Sequence, residues 1–200
     1  MKLLVTIFIL SLTLLVPNDR LLNAKEKEVA ENTDSTLVLY DFHNNKEISK
    51  CFAINDNVMG GISTGGVSPP RGNSLNFSGS LSLENNGGFA SIRSQPKDFN
   101  LSGYQGIRIR VKGDGRIYQF RLRIDRKLDG IAFKHEFETV DNTWIELDLS
   151  FDSFIPTYCG RTLRDVKPLE AADIRQLGFL LADKKAGAFN LLVDKIVAFK

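Results

Sequence analysis

Apolar and polar residues alternate along most of the chain from residue 37 onward, which is the period of a half-buried β-strand. In the clearest run, IRIRVK at residues 107–112, apolar and basic residues alternate strictly. A second alternating run follows the turn Gly113-Asp114-Gly115, so the pattern predicts a β-hairpin there. About nine strands are predicted in this way, in the segments 37–42, 74–82, 88–93, 107–112, 118–124, 131–139, 144–149, 176–182 and 189–199.

Helical periodicity is weak throughout the chain. Only residues 169–175, after Pro168, could form a short helical turn, and little else has a period near 3.6 residues. Short strands joined by polar turns, without long helices between them, are typical of sandwiches. The predicted fold class is therefore all-β, an antiparallel β-sandwich of the jelly-roll type.

The first 24 residues have a different pattern. A positive start, Met1-Lys2, precedes an apolar run over residues 3–16, which Pro17 ends, and the small residue Ala24 precedes a cleavage point. This layout predicts a signal peptide at residues 1–24 and hence an exported protein, periplasmic or extracellular. The run is shorter than the roughly 20 residues that cross a bilayer. No stable membrane span is expected unless the signal sequence stays uncleaved as an anchor.

The rest of the chain divides into a leader and one domain. Residues 25–36 are charged and almost free of apolar side chains, which predicts a disordered leader, and residues 37–200 form the β-sandwich domain. Removal of the signal peptide takes Lys2, Asp19 and Arg20 and lowers the formal net charge from +2 to +1. A nearly neutral surface has no basic excess for a phosphate backbone, so nucleic acid is excluded as a partner.

The two cysteines, Cys51 and Cys159, allow two interpretations. In an oxidising compartment they could form one disulfide across a loop of about 100 residues, worth up to about 4.7 kcal/mol in the chain-entropy model. Alternatively, both are free thiols and one is buried. Sequence cannot show whether their Cα atoms lie close enough.

Catalytic chemistry finds little support in the sequence. His43 and His135 are far apart and lack zinc-ligand spacing, and His135 is expected to be a core or rim residue of its strand. No nucleophile elbow is present. We therefore predict no catalytic residue, no cofactor and no metal. Two sets of charged residues alternate on neighbouring strands and are interpreted as cross-strand ion pairs rather than catalytic acids: Glu136, Glu138, Glu146 and Asp148 with Arg108, Arg110, Arg121 and Arg123.

Two glycine-asparagine clusters stand out, NDNVMGGIS at residues 55–63 and ENNGGF at residues 84–89. Paired glycines accept positive φ and allow close backbone approach, while Asn and Asp bind neighbouring main chain. The clusters are thus two shaped loops at one end of the sandwich. Alternatively, with Met59 and Phe89, they form a recognition surface for a sugar or a peptide segment.

These blocks, with IRVKGDGR at residues 109–116 and IRQLGFLLADKKAGAFNLLVDKI at residues 174–196, resemble the complex I intermediate-associated protein 30 family. The resemblance runs from about residue 40 to residue 199. It implies a galactose-binding-like β-sandwich and an assembly factor or chaperone without catalytic activity. The residues it suggests for ligand or partner binding are Asn55, Asp56, Met59, Gly60, Gly61, Ser63, Asn86, Gly87, Gly88, Phe89, Arg110, Asp114, Trp144 and Arg161.

Two functions follow from this resemblance and the fold. The first is an exported, non-enzymatic domain that binds protein and helps a membrane or envelope complex to assemble. The second is an exported carbohydrate-binding module, for which Trp144, Tyr118 or Tyr158 could stack on a sugar ring. Cys51 and Cys159 both fall where the chain departs from the family pattern, which favours their pairing.

Overall fold

The computed structural model describes residues 36–68, 73–127 and 129–200, so the predicted signal peptide and nearly all of the predicted leader lie outside the described residues. None of the helices found there is long and apolar enough to cross a membrane. The elements of this part are β1 (Leu37–Asp41), α1 (Asn45–Ile48), β2 (Cys51–Ala53), β3 (Thr64–Ser68), β4 (Leu75–Leu81), β5 (Ala90–Ser94), β6 (Gly106–Lys112), β7 (Ile117–Arg123), β8 (Ala132–Glu138), β9 (Trp144–Ser150), β10 (Ile155–Tyr158), β11 (Arg161–Thr162), β12 (Gln176–Leu181) and β13 (Gly187–Phe199). Short 3-10 turns cover Asp56–Met59, Glu84–Asn86, Phe151–Ser153 and Ala171–Asp173.

The strands form two antiparallel sheets. One has the order β3-β4-β13-β6-β9, with β1 also paired to β13, and the other has the order β11-β10-β8-β7-β12-β5-β2. The predicted antiparallel sandwich is confirmed. The strands β2, β3, β10 and β11 were not predicted because they are only two to five residues long and carry little alternation of apolar and polar residues.

The core lies between the sheets and is filled by the apolar members of the alternating runs. Ile107, Ile109 and Val111 point inward from β6, and the inward side chains of β7 include Tyr118 and Phe120. Aromatic rings connect the layers: Phe77 of β4 meets Tyr118 of β7 edge-on, with ring centroids 6.5 Å apart. Edge-to-face pairs of this kind stabilise beyond the area they bury.

The predicted hairpin at Gly113-Asp114-Gly115 is wrong. β6 lies between β13 and β9, whereas β7 lies between β12 and β8 in the other sheet, so the turn carries the chain across the sandwich. Asp114 fixes this crossing: its Oδ1 accepts a hydrogen bond from the Tyr118 hydroxyl at 3.0 Å, and its Oδ2 accepts one from the Asn190 N–H at 2.8 Å. Alternation defines which face of a strand is buried but not which strand lies beside it.

The four carboxylates predicted on neighbouring strands are instead divided between the two sheets. Glu136 and Glu138 lie on β8 in the seven-stranded sheet, whereas Glu146 and Asp148 lie on β9 in the six-stranded sheet. The ion-pair interpretation holds for Arg108, whose Nε lies 2.6 Å from Asp148 Oδ1. For Arg121 and Arg123 it is wrong, because within the described residues neither forms an ion pair with a carboxylate.

Cys51 and Cys159 are free, and the disulfide considered for them does not form. Cys51 begins β2 and Cys159 follows β10, which lie near opposite edges of the seven-stranded sheet. With strands spaced about 4.8 Å apart, the two residues are separated by on the order of 20 Å. A disulfide requires Cα atoms within about 7 Å of each other.

Candidate functional site

Asp56 is the centre of the predicted loop site. Its side chain is buried, and Oδ1 accepts a hydrogen bond from the Ser63 N–H at 3.0 Å. Oδ2 accepts hydrogen bonds from the Ser63 hydroxyl at 2.5 Å, the Gly88 N–H at 2.7 Å and the Phe89 N–H at 3.3 Å. One carboxylate therefore joins the two glycine-asparagine clusters, which are about thirty residues apart in sequence.

The electrostatics of this carboxylate favour its charged form. Burial alone would raise the pKa of Asp56, but the hydrogen bonds from Ser63, Gly88 and Phe89 outweigh burial, so its pKa is lowered below the ordinary value. Every oxygen of the charged carboxylate accepts a hydrogen bond within the protein. Asp56 is therefore engaged in holding the loops rather than presented to a ligand.

Asn55 plays a similar part beside it. Its Nδ2 donates to the Gly65 carbonyl at 2.8 Å, and its Oδ1 accepts from the Ser91 N–H at 3.1 Å. The side chain thus connects β3 of one sheet with β5 of the other. Both amide atoms are satisfied by backbone, as is usual for Asn in a structured loop.

The glycines of the clusters allow the loops to close around the carboxylate. A Cβ atom on Gly61 would lie 2.4 Å from Asp56 Cγ, and one on Gly87 would lie 2.6 Å from Asp56 Oδ2. Gly60 ends its 3-10 turn at φ 92°, a conformation that favours glycine. These results support the interpretation of the clusters as shaped loops.

The closed loops leave four large apolar side chains at the surface, beside the exposed polar residues Asn57, Glu84, Asn85 and Asn86. Val58, Met59, Ile62 and Leu83 are 68%, 60%, 51% and 47% exposed, and we call these four residues the apolar loop surface. Ser63, next to Ile62, donates to the carbonyl of Ser82, next to Leu83, at 3.1 Å, which brings the two loops together. Exposed apolar residues on adjoining loops are a common feature of interaction sites.

The predicted residues outside the two clusters, Arg110, Asp114, Trp144 and Arg161, do not join this site, whereas Asn86 and Phe89 belong to its second loop. Arg110 and Trp144 lie on the outer face of the six-stranded sheet, where the guanidinium is 4.8 Å from the ring centroid and also pairs with Asp194 at 2.5 Å. Asp114 fixes the crossing between the sheets, and Arg161 is exposed on β11. Asn86 stands at φ 59° in its turn and Phe89 is half-buried.

The aromatic residues considered for sugar stacking differ in exposure. Tyr118 is completely buried, which removes it from this role. Trp144 is half-buried, and the cationic groups of Arg110 and Lys112 lie over its ring. Tyr158 is 41% exposed, and its hydroxyl donates to Asp129 Oδ2 at 3.1 Å.

Metal binding has no support in the described ranges, where no group of three His, Cys, Asp or Glu side chains comes together. Sequence reasoning missed a different polar cluster. Arg121, Arg123 and Gln176 share the outer face of the seven-stranded sheet, around a small hollow. The alternation of residues 118–124 does place both arginines on one face, but the expected hairpin and ion pairs gave them another explanation.

The fold is an antiparallel β-sandwich of the type seen in solved carbohydrate-binding modules. It is similar to the family 11 carbohydrate-binding module of the cellulosomal cellulase Lic26A-Cel5E of Clostridium thermocellum, with a TM-score of 0.63, 16% identity and coverage of 84% of this chain and 96% of that one. The family 11 module in complex with a β-1,3-1,4-mixed-linked tetrasaccharide gives a TM-score of 0.62 at 18% identity, covering 82% and 95% of the two chains. At these identities the similarity shows a shared fold.

Sequence comparison defines the family within this class. The family model described as complex I intermediate-associated protein 30 matches residues 40–193, and the chain belongs to that family. The mouse mitochondrial complex I intermediate-associated protein 30 is 28% identical over 185 residues, which cover 81% of this chain and 56% of the mouse protein. The Neurospora crassa mitochondrial protein of the same name is 22% identical, with 80% and 72% covered. The chain thus spans little more than half the length of the mouse relative.

The prediction of an exported location is wrong in the light of these relatives. The mouse, Neurospora crassa and Caenorhabditis elegans proteins are all named as mitochondrial, which conflicts with a periplasmic or extracellular family member. The export prediction depended on residues 1–24, which lie outside the described residues.

Proposed function

We propose that this protein is a non-enzymatic binding domain that acts as an assembly factor for a membrane complex. The observation that carries the proposal is the apolar loop surface, held on loops that Asp56 closes from within. The relatives are named as complex I intermediate-associated proteins, which supports an intermediate of respiratory complex I as the partner.

The loops are suited to docking a protein because their shape is fixed before a partner arrives. Asn55 and Asp56 bind backbone groups on both sides, so little loop freedom remains to be lost on binding. Met59 at the tip is unbranched and adapts to irregular partner surfaces. The complementary partner is an apolar protein segment, such as a subunit exposes before its neighbours are in place.

A double substitution tests this proposal. Cells carrying a tagged wild-type chain or the Val58→Ser/Met59→Ser variant are solubilised gently, and the tag is followed on a native gel. We expect wild-type protein to migrate with a large membrane assembly and the variant to migrate near its own mass. Val140→Ser is the matched control. Val140 is 55% exposed, which is similar to Val58 and Met59, but it lies away from these loops in sequence.

Two results would contradict the proposal. In one, the double variant stays with the assembly as well as the wild type does. In the other, the wild-type chain itself migrates alone. Thermal melting of both variants shows whether the substitutions leave the fold intact, as expected for exposed positions, where changes stay within about 0.5 kcal/mol.

Carbohydrate binding is the second candidate, and the exposed ring of Tyr158 is the observation that favours it. The hydrogen bond to Asp129 holds the ring at the surface, where it could stack on a sugar. The similar solved modules contribute the fold to this argument. A glycan array with wild-type protein and Tyr158→Ala tests it: a glycan bound equally by both, or by neither, removes Tyr158 as a sugar platform.

A further inference from the structure

Four polar side chains meet on the outer face of the seven-stranded sheet. Arg121 of β7 lies opposite Gly178 of β12, and Arg123 lies opposite Gln176 on the same two strands. On the other side of β12, Gly178 also lies opposite Arg93 of β5. Residues directly opposite each other in antiparallel strands share a face, so the arginines surround a position that carries no side chain.

The glycine leaves a small hollow of about 20 Å³ in this face. Polar atoms reach it from Ser91, Arg93, Arg121, Arg123 and Gln176. The hollow depends on Gly178, because a Cβ atom there would lie 2.5 Å from the Ile92 carbonyl oxygen. A volume of this size accepts one small polar group.

Gln176 is the unusual member of the cluster. Its side chain is completely buried, and neither Nε2 nor Oε1 has a hydrogen-bond partner. Buried amide atoms are nearly always paired, because an unpaired atom loses its hydrogen bonds to water without replacing them. Both amide atoms would be satisfied by a group that accepts a hydrogen bond from Nε2 and donates one to Oε1.

The arginines supply positive charge beside this amide. Arg121 Nε donates to Gln119 Oε1 at 3.2 Å, and Arg123 Nη1 donates to the Gly130 carbonyl at 2.8 Å. Neither forms an ion pair within residues 36–68, 73–127 and 129–200. Burial, followed by the charge of Arg123, lowers the pKa of Arg121 to about 10, so Arg121 remains charged at neutral pH. Burial also lowers the pKa of Arg123, while Asp125 and Asp129 act to raise it.

Within the described residues, two carboxylates act electrostatically on this cluster. Asp125 and Asp129 attract Arg123 and Arg93 electrostatically, and Asp129 also accepts the hydrogen bond from Tyr158. On the neighbouring strand, Arg121 lies opposite Lys134, which adds positive charge. The balance around the hollow is therefore positive.

We propose that this hollow takes the hydroxyl group of a hydroxy acid, whose carboxylate lies at the mouth of the hollow. The carboxylate accepts from the guanidinium groups of Arg121 and Arg123, whose planar forks match it. The hydroxyl donates to Gln176 Oε1 and accepts from Gln176 Nε2, which satisfies both unpaired atoms. The site uses residues separate from the apolar loop surface, so it extends beyond the protein-docking role.

Two sources share this chemistry, a free hydroxy acid and an acidic sugar unit. Isotope-labelled protein would be titrated with lactate, galacturonate, galactose, acetate and inorganic phosphate, while NMR follows the Gln176 side-chain amide and the arginine Nε–H signals. We expect lactate or galacturonate to shift these signals and to bind at least about tenfold more tightly than galactose or acetate. Stronger binding of lactate indicates the free acid, and stronger binding of galacturonate indicates the sugar unit.

Variants connect the response to the hollow. Arg121→Gln and Gln176→Leu are expected to weaken binding at least about tenfold. Arg161→Gln, on an exposed position of the same sheet, is expected to leave it unchanged. Thermal melts show that each variant is folded. The proposal is overturned if no probe shifts the Gln176 amide, if phosphate binds as well as the hydroxy acids, or if Arg161→Gln weakens binding as much as Arg121→Gln.

Discussion

The side chains of Arg116 and Asp183 form a two-pronged ion pair that is almost withdrawn from solvent. Arg116 Nε donates to Asp183 Oδ2 at 2.9 Å and Nη2 donates to Oδ1 at 2.6 Å, with side-chain exposures of 10% and 3%. Arg116 also donates to the Ala188 carbonyl at 3.1 Å. The pair therefore fixes the connection between β12 and β13 to the start of β7.

Replacing Arg116 with Lys should be costly although the charge is kept. A lysine ammonium cannot reproduce the planar fork, and a buried carboxylate that loses its partner destabilises the fold by about 3–5 kcal/mol. The measurement is urea unfolding at pH 7. The matched control is Arg126→Lys, whose pair with Asp98 is 2.7 Å long but exposed, and which should change stability by less than about 1 kcal/mol. An equal loss of stability in both variants would contradict a special role for the buried Arg116–Asp183 pair.

Asp56 gives a prediction about pH. Because its folded pKa lies below the unfolded value, its contribution to stability is present above about pH 4 and is lost as pH falls through the folded pKa. Asp56→Asn, which directs an amide at backbone donors, should destabilise by about 3 kcal/mol at pH 7. The difference from wild type should narrow in urea unfolding at pH 3. Asp152→Asn, at an exposed position, should show no such narrowing.

Two glycines on neighbouring strands should differ sharply in how well they tolerate substitution by alanine. A Cβ atom on Gly79 of β4 would lie 1.9 Å from the Thr64 carbonyl oxygen, whereas one on Gly66 of β3 would meet nothing closer than Ala53 Cβ at 3.7 Å. Gly79→Ala should therefore separate β3 from β4 and lower the melting temperature by several degrees. Gly66→Ala should leave it unchanged or raise it slightly, since alanine reduces the freedom of the unfolded chain. An unchanged melting temperature for Gly79→Ala would show that β3 lies farther from β4 than the structure places it.

The thiols should react one at a time. Cys159 is exposed, whereas Cys51 packs against the core, and burial raises the pKa of Cys51 to about 12. Because the thiolate is the reactive form, a thiol reagent at pH 8 should modify one equivalent quickly in the native protein and two after denaturation. Cys159→Ser should remove the fast reaction. A denatured, unreduced sample with no reactive thiol would instead reveal a bridge.

The alternation of apolar and polar residues was enough to predict the sandwich, but it did not give the order of the strands. Residues 107–112 and 118–124 both became strands with the expected buried faces, yet they belong to different sheets. A period of two records only which side of a strand meets the core. The pairing depends on contacts such as that of Asp114 with Asn190, which lie far apart in sequence.

Contacts between residues far apart in sequence also decide how much of the Asp56 loops and of the Arg121 cluster could be predicted. Asn and Asp beside paired glycines indicated loops shaped by hydrogen bonds, but only the folded chain shows that Asp56 binds Gly88 and Phe89. Arg121 looked like the partner of a glutamate on the next strand. The register instead places Arg121 opposite Lys134, so the Arg121 guanidinium has no carboxylate opposite it on β8.

The position of β13 bears on how the domain is made. β13 pairs with β1, β4 and β6, so it is the strand that completes the six-stranded sheet. It is also the last of the described strands to leave the ribosome. Until then, β1, β4 and β6 have no common neighbour, and their apolar faces stay open to water and to other chains. We therefore expect the six-stranded sheet to form only after β13 has been translated, so that a new copy is prone to aggregation for nearly the whole time of its synthesis.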